Sequence, residues 1–281
     1  MRYEVLNIDI DYAKIGVENN GFQPTLTIYV PDNSREIDIN RIRPMVIVCP
    51  GGGYGWTSDR EAEPVALKFL AAGMNTAVLR YTTGTDIFPA PQLELAEAVA
   101  TVRKNAPEWN IDPDRIIICG FSAGGHLAAS FGTLWNRDMI GGYLGYHKGE
   151  HKPNGLILGY PVITAGQKTH RGSFINLLGE RKDDPALLEL LSAEKQVDAN
   201  TPPTFLWHTF SDGAVPVENS LLFAQALAAN GIPTELHIFP NGPHGLSLSN
   251  RLTASDQAVE LMVPECEQWI DMAVRWIQSL R

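Results

Sequence analysis

Short apolar runs bounded by turn residues recur along the chain and predict β-strands. Most of these runs are continuously apolar rather than alternating, which is typical of strands covered on both faces, as in a parallel sheet. The run Met-Val-Ile-Val-Cys at 45–49 is representative. The predicted strands cover residues 25–30, 45–49, 75–80, 116–119, 155–158, 204–208 and 235–239.

Between the strands, apolar residues recur at helical spacing. The predicted helices cover residues 61–72, 91–105, 219–230 and 256–280, with Pro264 as an alternative, later start for the last one. Strands that alternate with helices predict an α/β fold, a mostly parallel sheet with helices on both faces. We expect a single domain over residues 1–281. Two irregular insertions, about 133–153 and 161–203, have the size of functional loops or lids.

Composition and charge narrow the class of protein. The 281 residues carry a net charge of −10, and 44% are hydrophobic. An acidic chain without a Lys/Arg cluster argues against nucleic-acid binding. No run approaches the ~20 apolar residues of a membrane span, and residues 1–11 lack the apolar centre of a signal peptide. The three cysteines form no short pairing motif, so we expect a cytoplasmic protein; the oligomeric state stays open.

The strongest chemical signal is Gly120-Phe-Ser122-Ala-Gly124, which follows a predicted strand and precedes a helical pattern. A serine on such a sharp strand-to-helix turn projects its hydroxyl above the sheet edge, and small flanking residues make the turn possible. The helix also begins at this serine, so its free amides face any negative charge that forms there. We predict that Ser122 is a nucleophile; the simpler alternative is a capping serine in a turn.

A serine nucleophile needs a base and an acid that orients the base. Of the seven histidines, His244 lies on a loop directly after the last predicted strand, where it can reach the turn at Ser122. Asp212 directly follows the strand at 204–208, and the order Ser122, Asp212, His244 is that of α/β-hydrolases. The alternatives are Asp198 and Glu218 for the acid. Of the other histidines, 147, 151 and 170 fall in the polar insertions, where we expect them to be solvated or near the mouth of the site. His126 falls in the helix after the turn, where we expect it to be buried and structural, and 208 and 237 fall in strands.

A glycine-rich turn, Pro50-Gly-Gly-Gly-Tyr54, follows the strand at 45–49. Glycines let the backbone amides turn towards the serine, which predicts an oxyanion hole made by the amides of Gly52, Gly53 and Ala123. A phosphate cradle is the alternative, but the turn lacks both GxGxxG and the GK[ST] of a P-loop.

Together these motifs resemble the α/β-hydrolase esterases, and among them the small bacterial carbohydrate acetyl esterases and bifunctional feruloyl/acetyl-xylan esterases. The resemblance extends from about Pro44 to the C-terminus and includes the Ser58-Asp-Arg-Glu61 motif after the glycine-rich turn. It implies an eight-stranded α/β-hydrolase sheet with lid-like insertions, a Ser-His-Asp triad, no metal and no organic cofactor. It also implies short acyl esters, often acetyl groups on xylo-oligosaccharides, as substrates.

Aromatic residues near the predicted site could stack on a sugar ring. We expect substrate contacts from Tyr54, Trp56 and Tyr160, and an ion-pair network below the glycine-rich turn from residues 59–61. The predicted function is a serine carboxylesterase for short, mainly acetyl, esters on carbohydrates. A feruloyl or general short-chain carboxylesterase, and a catalytically inactive binding module, are the alternatives. A lipase would need a more apolar entrance than these polar insertions provide, and a peptidase of this kind usually carries an extra domain, so both are disfavoured.

Overall fold

The computed structural model describes residues 1–18 and 21–280, which form an eight-stranded sheet in the order β1-β2-β4-β3-β5-β6-β7-β8. Strands β3 to β8 run parallel to one another, whereas β1 and β2 pair antiparallel at one edge. The strands are β1 Arg2–Asn7, β2 Thr25–Val30, β3 Arg43–Cys49, β4 Asn75–Arg80, β5 Ile111–Phe121, β6 Gly155–Gly159, β7 Thr204–Thr209 and β8 Thr234–Phe239.

The continuous apolar runs are the buried central strands. Residues 45–49 of β3 and all of β6 and β7 are buried, as a sheet covered on both faces requires. Strand β1 was missed by the sequence pattern because it lies at an edge and leaves Tyr3 and Val5 exposed.

Helices cover both faces of the sheet, as predicted. One apolar cluster packs α3, α4 and α8 on one face, and a second packs α2 and α10 on the other. No helix in the described parts of the chain has both the length and the apolar character needed to cross a bilayer. The helices are α1 Tyr12–Ile15, α2 Glu63–Ala71, α3 Ala90–Trp109, α4 Ser122–Leu134, α5 Gly141–Leu144, α6 Arg171–Leu178, α7 Pro185–Leu190, α8 Glu218–Ala229, α9 Pro264–Glu267 and α10 Trp269–Ser279.

The terminal helical segment is shorter than its apolar pattern over 256–280 suggests. Pro264 begins the short α9, and the main helix α10 starts only at Trp269. Proline is tolerated in the first turn of a helix but not in its interior, so the later start is the one adopted.

The two insertions lie at opposite edges of the sheet. Helix α4 starts at the carboxyl end of β5 and runs 13 residues, about 20 Å, back along the sheet. The insertion at 133–153 therefore lies at the amino edge, where Tyr146 hydrogen-bonds Glu97 of α3, and a lid role does not fit it. The insertion at 161–203 follows the carboxyl end of β6, on the edge where Ser122 lies.

Candidate active site

Ser122 sits at the junction of β5 and α4 in a left-handed backbone conformation, with φ of 51°. The turn is tight on both sides of the serine. A Cβ at Gly124 would lie 2.1 Å from the carbonyl oxygen of Cys49, and one at Gly120 would lie 2.2 Å from that of Gly124. The glycines of the motif are therefore required by close backbone approach, and the serine is held 7% exposed at the sheet edge.

The three residues singled out in the sequence lie in one hydrogen-bonded row. Ser122 Oγ lies 2.8 Å from His244 Nε2, and His244 Nδ1 lies 2.7 Å from Asp212 Oδ2. With neutral imidazole, the serine hydroxyl donates to Nε2 and Nδ1–H donates to the carboxylate. This is the arrangement in which a histidine can take the serine proton while a carboxylate stabilises the resulting imidazolium.

The Asp212 carboxylate is buried, and both of its oxygens accept hydrogen bonds. Its Oδ1 accepts hydrogen bonds from the backbone amides of Ala214 and Val215, both at 2.9 Å. Burial acts to raise the pKa of Asp212, but hydrogen bonds from His208, His244 and the Val215 amide outweigh it and hold the pKa well below its usual range. The carboxylate thus stays ionised beside the imidazole. Asp198 and Glu218, the alternatives for the acid, make their hydrogen bonds or ion pairs elsewhere.

A second histidine shares this carboxylate, which sequence reasoning missed. The fully buried His208 directs its Nε2–H between two acceptors, Asp212 Oδ2 at 3.3 Å and the Val215 carbonyl oxygen at 3.0 Å. Its Nδ1 accepts from the Ser220 hydroxyl at 2.8 Å. The four-residue spacing from Asp212 was the only signal available, and in a strand followed by a turn that spacing does not fix a contact.

The burial of the remaining histidines agrees only in part with the prediction. His126 is buried in α4, as expected. His151 was expected to be solvated or near the mouth of the site, which is wrong: it is 2% exposed and stacks on Tyr146, at the amino edge of the sheet. His170, half-buried at the start of α6, lies close enough that His244 and Asp212 influence its pKa, which is lowered mainly by burial. His147 is exposed.

The glycine-rich turn lies directly against the serine. A Cβ at Gly51 would be 2.9 Å from Ser122 Cβ. The Gly51 amide is occupied by Glu61, whereas the amides of Gly52 and Gly53 donate to no acceptor within residues 1–18 and 21–280. Gly52 and Gly53 have φ of 130° and 62°, and a Cβ at Gly52 would meet the Trp56 carbonyl oxygen at 2.1 Å.

Two of the three aromatic residues expected to contact substrate are buried. Tyr54 has no exposed surface, and its hydroxyl donates to His126 Nδ1 at 2.7 Å. Tyr160 is 1% exposed and packs its ring against His244, with centroids 5.0 Å apart. Neither ring has an exposed face on which a sugar could stack, so both lie behind the site and away from the substrate. Trp56 is 61% exposed beside the glycine-rich turn, so substrate contact by its ring stays a prediction.

The expected ion-pair network at residues 59–61 is only partly present. Asp59 does pair with Arg80 at 2.6 Å. Arg60 instead donates to the carbonyl oxygens of Gly245 and Thr253, and Glu61 accepts from the Gly51 amide and the Tyr160 hydroxyl. Glu61 is buried beneath the turn, and among the described residues it makes these hydrogen bonds and no ion pair. Across the described ranges, no group of three or more His, Cys, Asp or Glu side chains could hold a metal ion.

Comparison with known proteins identifies the family. The BD-FAE family model matches residues 26–227, more than two-thirds of the chain. The chain belongs to the BD-FAE family. Its fold, with the glycine-rich turn and the serine turn at one sheet edge, is that of an α/β-hydrolase, and esterase-named relatives and neighbours support a carboxylic ester hydrolase.

Two curated relatives are similar to this BD-FAE chain. Endo-1,4-beta-xylanase B of Butyrivibrio fibrisolvens is 41% identical over 82% of this chain and 36% of that protein. Acetylxylan esterase of Xylanibacter ruminicola is 31% identical over 76% of this chain and 43% of that protein. The chain thus spans less than half the length of either relative.

Two solved structures resemble the BD-FAE chain over almost their whole lengths. The acetyl ester-xyloside bifunctional hydrolase from Caldicellulosiruptor lactoaceticus has a TM-score of 0.83 and 38% identity, covering 98% of this chain and 96% of that one. The carboxylesterase Cest-2923 from Lactobacillus plantarum has a TM-score of 0.84 and 28% identity, covering 99% and 97%.

Proposed function

We propose that this chain, as one hydrolase domain, cleaves short acyl esters through a Ser122-His244-Asp212 triad and an acyl-enzyme. The observation that carries the proposal is the row of two hydrogen bonds, 2.8 Å from Ser122 Oγ to His244 Nε2 and 2.7 Å from His244 Nδ1 to Asp212 Oδ2. A serine hydroxyl in water is a poor nucleophile. A hydroxyl that donates a hydrogen bond to an oriented imidazole can transfer its proton to that imidazole as it attacks.

In the first step Ser122 Oγ bonds to the ester carbonyl carbon while its proton passes to His244 Nε2. The carbonyl oxygen takes up the negative charge. The amides of Gly52, Gly53 and Ala123 are the donors we assign to this oxyanion, and the positive end of α4 faces the same point. Each donor of this kind commonly contributes a factor of ~10²–10³ in turnover.

The intermediate then collapses, and His244 returns the proton to the leaving alcohol oxygen as the ester C–O bond breaks. In the second step a water molecule attacks the acyl carbon and gives a proton to His244. The bond between the acyl carbon and Ser122 Oγ then breaks, His244 returns the proton to Oγ, and the acid is released. Asp212 keeps its negative charge throughout and stabilises the imidazolium formed in each step.

For the substrate we propose acetyl esters on xylo-oligosaccharides or similar carbohydrates. Support comes from the names of the relatives, one an acetylxylan esterase and one a xylanase, and of the solved neighbour, an acetyl ester-xyloside hydrolase. Trp56, exposed next to the glycine-rich turn, is a surface on which a sugar ring could stack. Feruloyl or general short-chain esters are the competing substrates.

The test uses p-nitrophenyl acetate with the wild type, Ser122→Ala and the exposed-serine control Ser255→Ala. We expect Ser122→Ala to lose about 10⁴–10⁶-fold in kcat and Ser255→Ala to match the wild type. A fluorophosphonate probe should label the wild type and the control but not Ser122→Ala, because only an activated serine reacts. Near-full activity of Ser122→Ala would remove the triad assignment, and an unlabelled, inactive wild type would favour a binding module.

A substrate panel separates the acyl groups. Acetate release from acetylated xylo-oligosaccharides should exceed feruloyl and butyryl ester hydrolysis in kcat/KM. Activity on simple alkyl esters, with no acetate released from any acetylated saccharide, would instead support a general carboxylesterase.

A further inference from the structure

A buried carboxylate connects the two halves of the candidate site. Glu61 Oε2 accepts from the Gly51 amide at 2.8 Å, next to the proposed oxyanion donors. Its other oxygen, Oε1, accepts from the Tyr160 hydroxyl at 2.7 Å. Glu61 is 4% exposed and Tyr160 1% exposed, so water cannot replace either partner. We call this pair the Glu61–Tyr160 bridge.

The bridge also contacts the loop that carries His244, residues 240–247, which we call the base loop. The Tyr160 hydroxyl accepts from the Ser247 amide at 2.8 Å, and the Tyr160 ring packs edge-on against the His244 imidazole at 5.0 Å between centroids. Burial and the neighbouring Glu61 raise the pKa of Tyr160 well above its ordinary value, which keeps the phenol protonated as a donor. One hydroxyl therefore ties the base loop to the carboxylate under the glycine-rich turn.

Arg60, the residue before Glu61, holds the same loop by a second route. Its guanidinium donates to the carbonyl oxygen of Gly245, directly after His244, at 2.5 Å. Its own carbonyl oxygen accepts from the Ser247 hydroxyl at 2.6 Å. Residues 60 and 61 are thus in contact with both the glycine-rich turn and the base loop.

We propose that Glu61 and Tyr160 are positioning residues that fix the distance between the oxyanion donors and His244. The inference rests on the proposed esterase function. Neither residue hydrogen-bonds Ser122 or His244. The attack, however, requires the ester carbonyl oxygen to lie at the oxyanion amides while the imidazole faces Ser122 Oγ. A misplacement of about 1 Å between such groups can cost ~10²-fold in rate.

The chain offers a matched control for the bridge. The Tyr29 hydroxyl donates to Glu63 Oε1 at 2.9 Å, so it is also a tyrosine–glutamate hydrogen bond, and Tyr29 is 5% exposed. It joins β2 to the start of α2. Within the described ranges, the side chains of Tyr29 and Glu63 make no hydrogen bond to the glycine-rich turn or to the loop that carries His244. Tyr29→Phe therefore removes the same kind of bond without disturbing the site.

The experiment measures kcat and KM on p-nitrophenyl acetate, with melting temperatures, for the wild type, Tyr160→Phe, Glu61→Gln and Tyr29→Phe. We expect Tyr160→Phe to lower kcat about 10- to 100-fold with less than about a threefold change in KM, while Tyr29→Phe leaves kcat unchanged. Glu61→Gln keeps one acceptor for the Gly51 amide but presents an N–H to Tyr160, so we expect a smaller loss. In the double variant the two losses should not multiply, since both break one bridge.

Should Tyr160→Phe fold poorly, the kcat of its folded fraction is obtained by titrating active Ser122 with the fluorophosphonate, and Glu61→Gln gives an independent answer. Equal kcat per labelled site in Tyr160→Phe, Glu61→Gln and Tyr29→Phe would overturn the positioning role and leave the esterase proposal intact. An inactive, unlabelled wild type would overturn both.

Discussion

Acidification should destabilise this protein through one buried histidine, His126. Its Nε2–H donates to the Leu191 carbonyl oxygen at 2.8 Å, and its Nδ1 accepts from the Tyr54 hydroxyl at 2.7 Å, so the ring is neutral. Burial lowers the pKa of His126 from 6.5 to about 4, partly offset by the bond to Leu191. Protonation would place a positive charge in this buried site and would turn Nδ1 into a donor, so the Tyr54 hydroxyl would have to accept and direct its own proton elsewhere.

The sign and size follow from proton linkage. Between pH 6.5 and pH 4 the unfolded chain binds a proton at His126 that the folded chain does not, so the free energy of unfolding falls as pH falls. The contribution is fully present above pH 6.5 and is lost as the pH drops towards the folded pKa of about 4. At 1.36 kcal/mol per unit of pKa the total is about 3 kcal/mol, a large share of the ~5–15 kcal/mol of a typical domain.

Urea unfolding of the wild type, His126→Asn and the exposed-residue control His147→Asn at pH 7, 6 and 5 tests this reasoning. His126→Asn can still accept from Tyr54 but orphans the Leu191 carbonyl oxygen, so it should lose ~1–3 kcal/mol at pH 7. Its stability should then vary less with pH than that of the wild type, by up to about 1.4 kcal/mol per pH unit. His147→Asn should keep the wild-type slope. Equal slopes in all three proteins would refute the assignment of this acid sensitivity to His126.

Three further outcomes are expected. Asp212→Asn should lower kcat by about 10⁴-fold with little change in fold, measured on p-nitrophenyl acetate, because an amide favours the wrong His244 tautomer; a loss below tenfold would contradict it. Gly124→Ala places a Cβ 2.1 Å from a backbone oxygen and should lower the melting temperature by several degrees, whereas Gly213→Ala, with open space around its Cβ, should not. Trp56→Ala should raise KM for acetylated xylo-oligosaccharides about three- to tenfold and leave KM for p-nitrophenyl acetate unchanged; equal effects on both would exclude sugar stacking.

The strands and the turn at Ser122 could be predicted because their causes are local. A strand buried on both faces must be apolar throughout, and a serine turn that tight must have glycine two residues before and two after it. Strand β1 was not predicted, because the same cause is absent there. Its side chains face solvent at the sheet edge, so burial imposed no pattern on Arg2–Asn7.

The contacts behind the site could not be predicted, because packing between distant segments decides them. Glu61 and Tyr160 are 99 positions apart, and nothing in either local sequence indicates that one hydroxyl reaches the other's carboxylate. The same holds for the burial of Tyr54, whose partner His126 is 72 positions away. The placement of the 133–153 insertion, by contrast, follows from topology alone: a helix that starts at the carboxyl ends of parallel strands must end at the amino edge.

The sheet register explains why the base needs external support. Phe121 of β5 is level with Gly159 of β6, Trp207 of β7 and His237 of β8, and β7 and β8 continue two residues further, to Thr209 and Phe239. Three strand spacings of about 4.8 Å separate β5 from β8, a lateral distance of ~14 Å. Five residues from Phe239 to His244 extend at most about 17 Å. The loop must therefore cross the end of β7 before the imidazole can reach Ser122. On this path Gly242 hydrogen-bonds Thr209 and Ser211 at the end of β7. Beyond it the loop meets Asp212, Arg60 and the Glu61–Tyr160 bridge, so the position of His244 depends on groups outside its own loop.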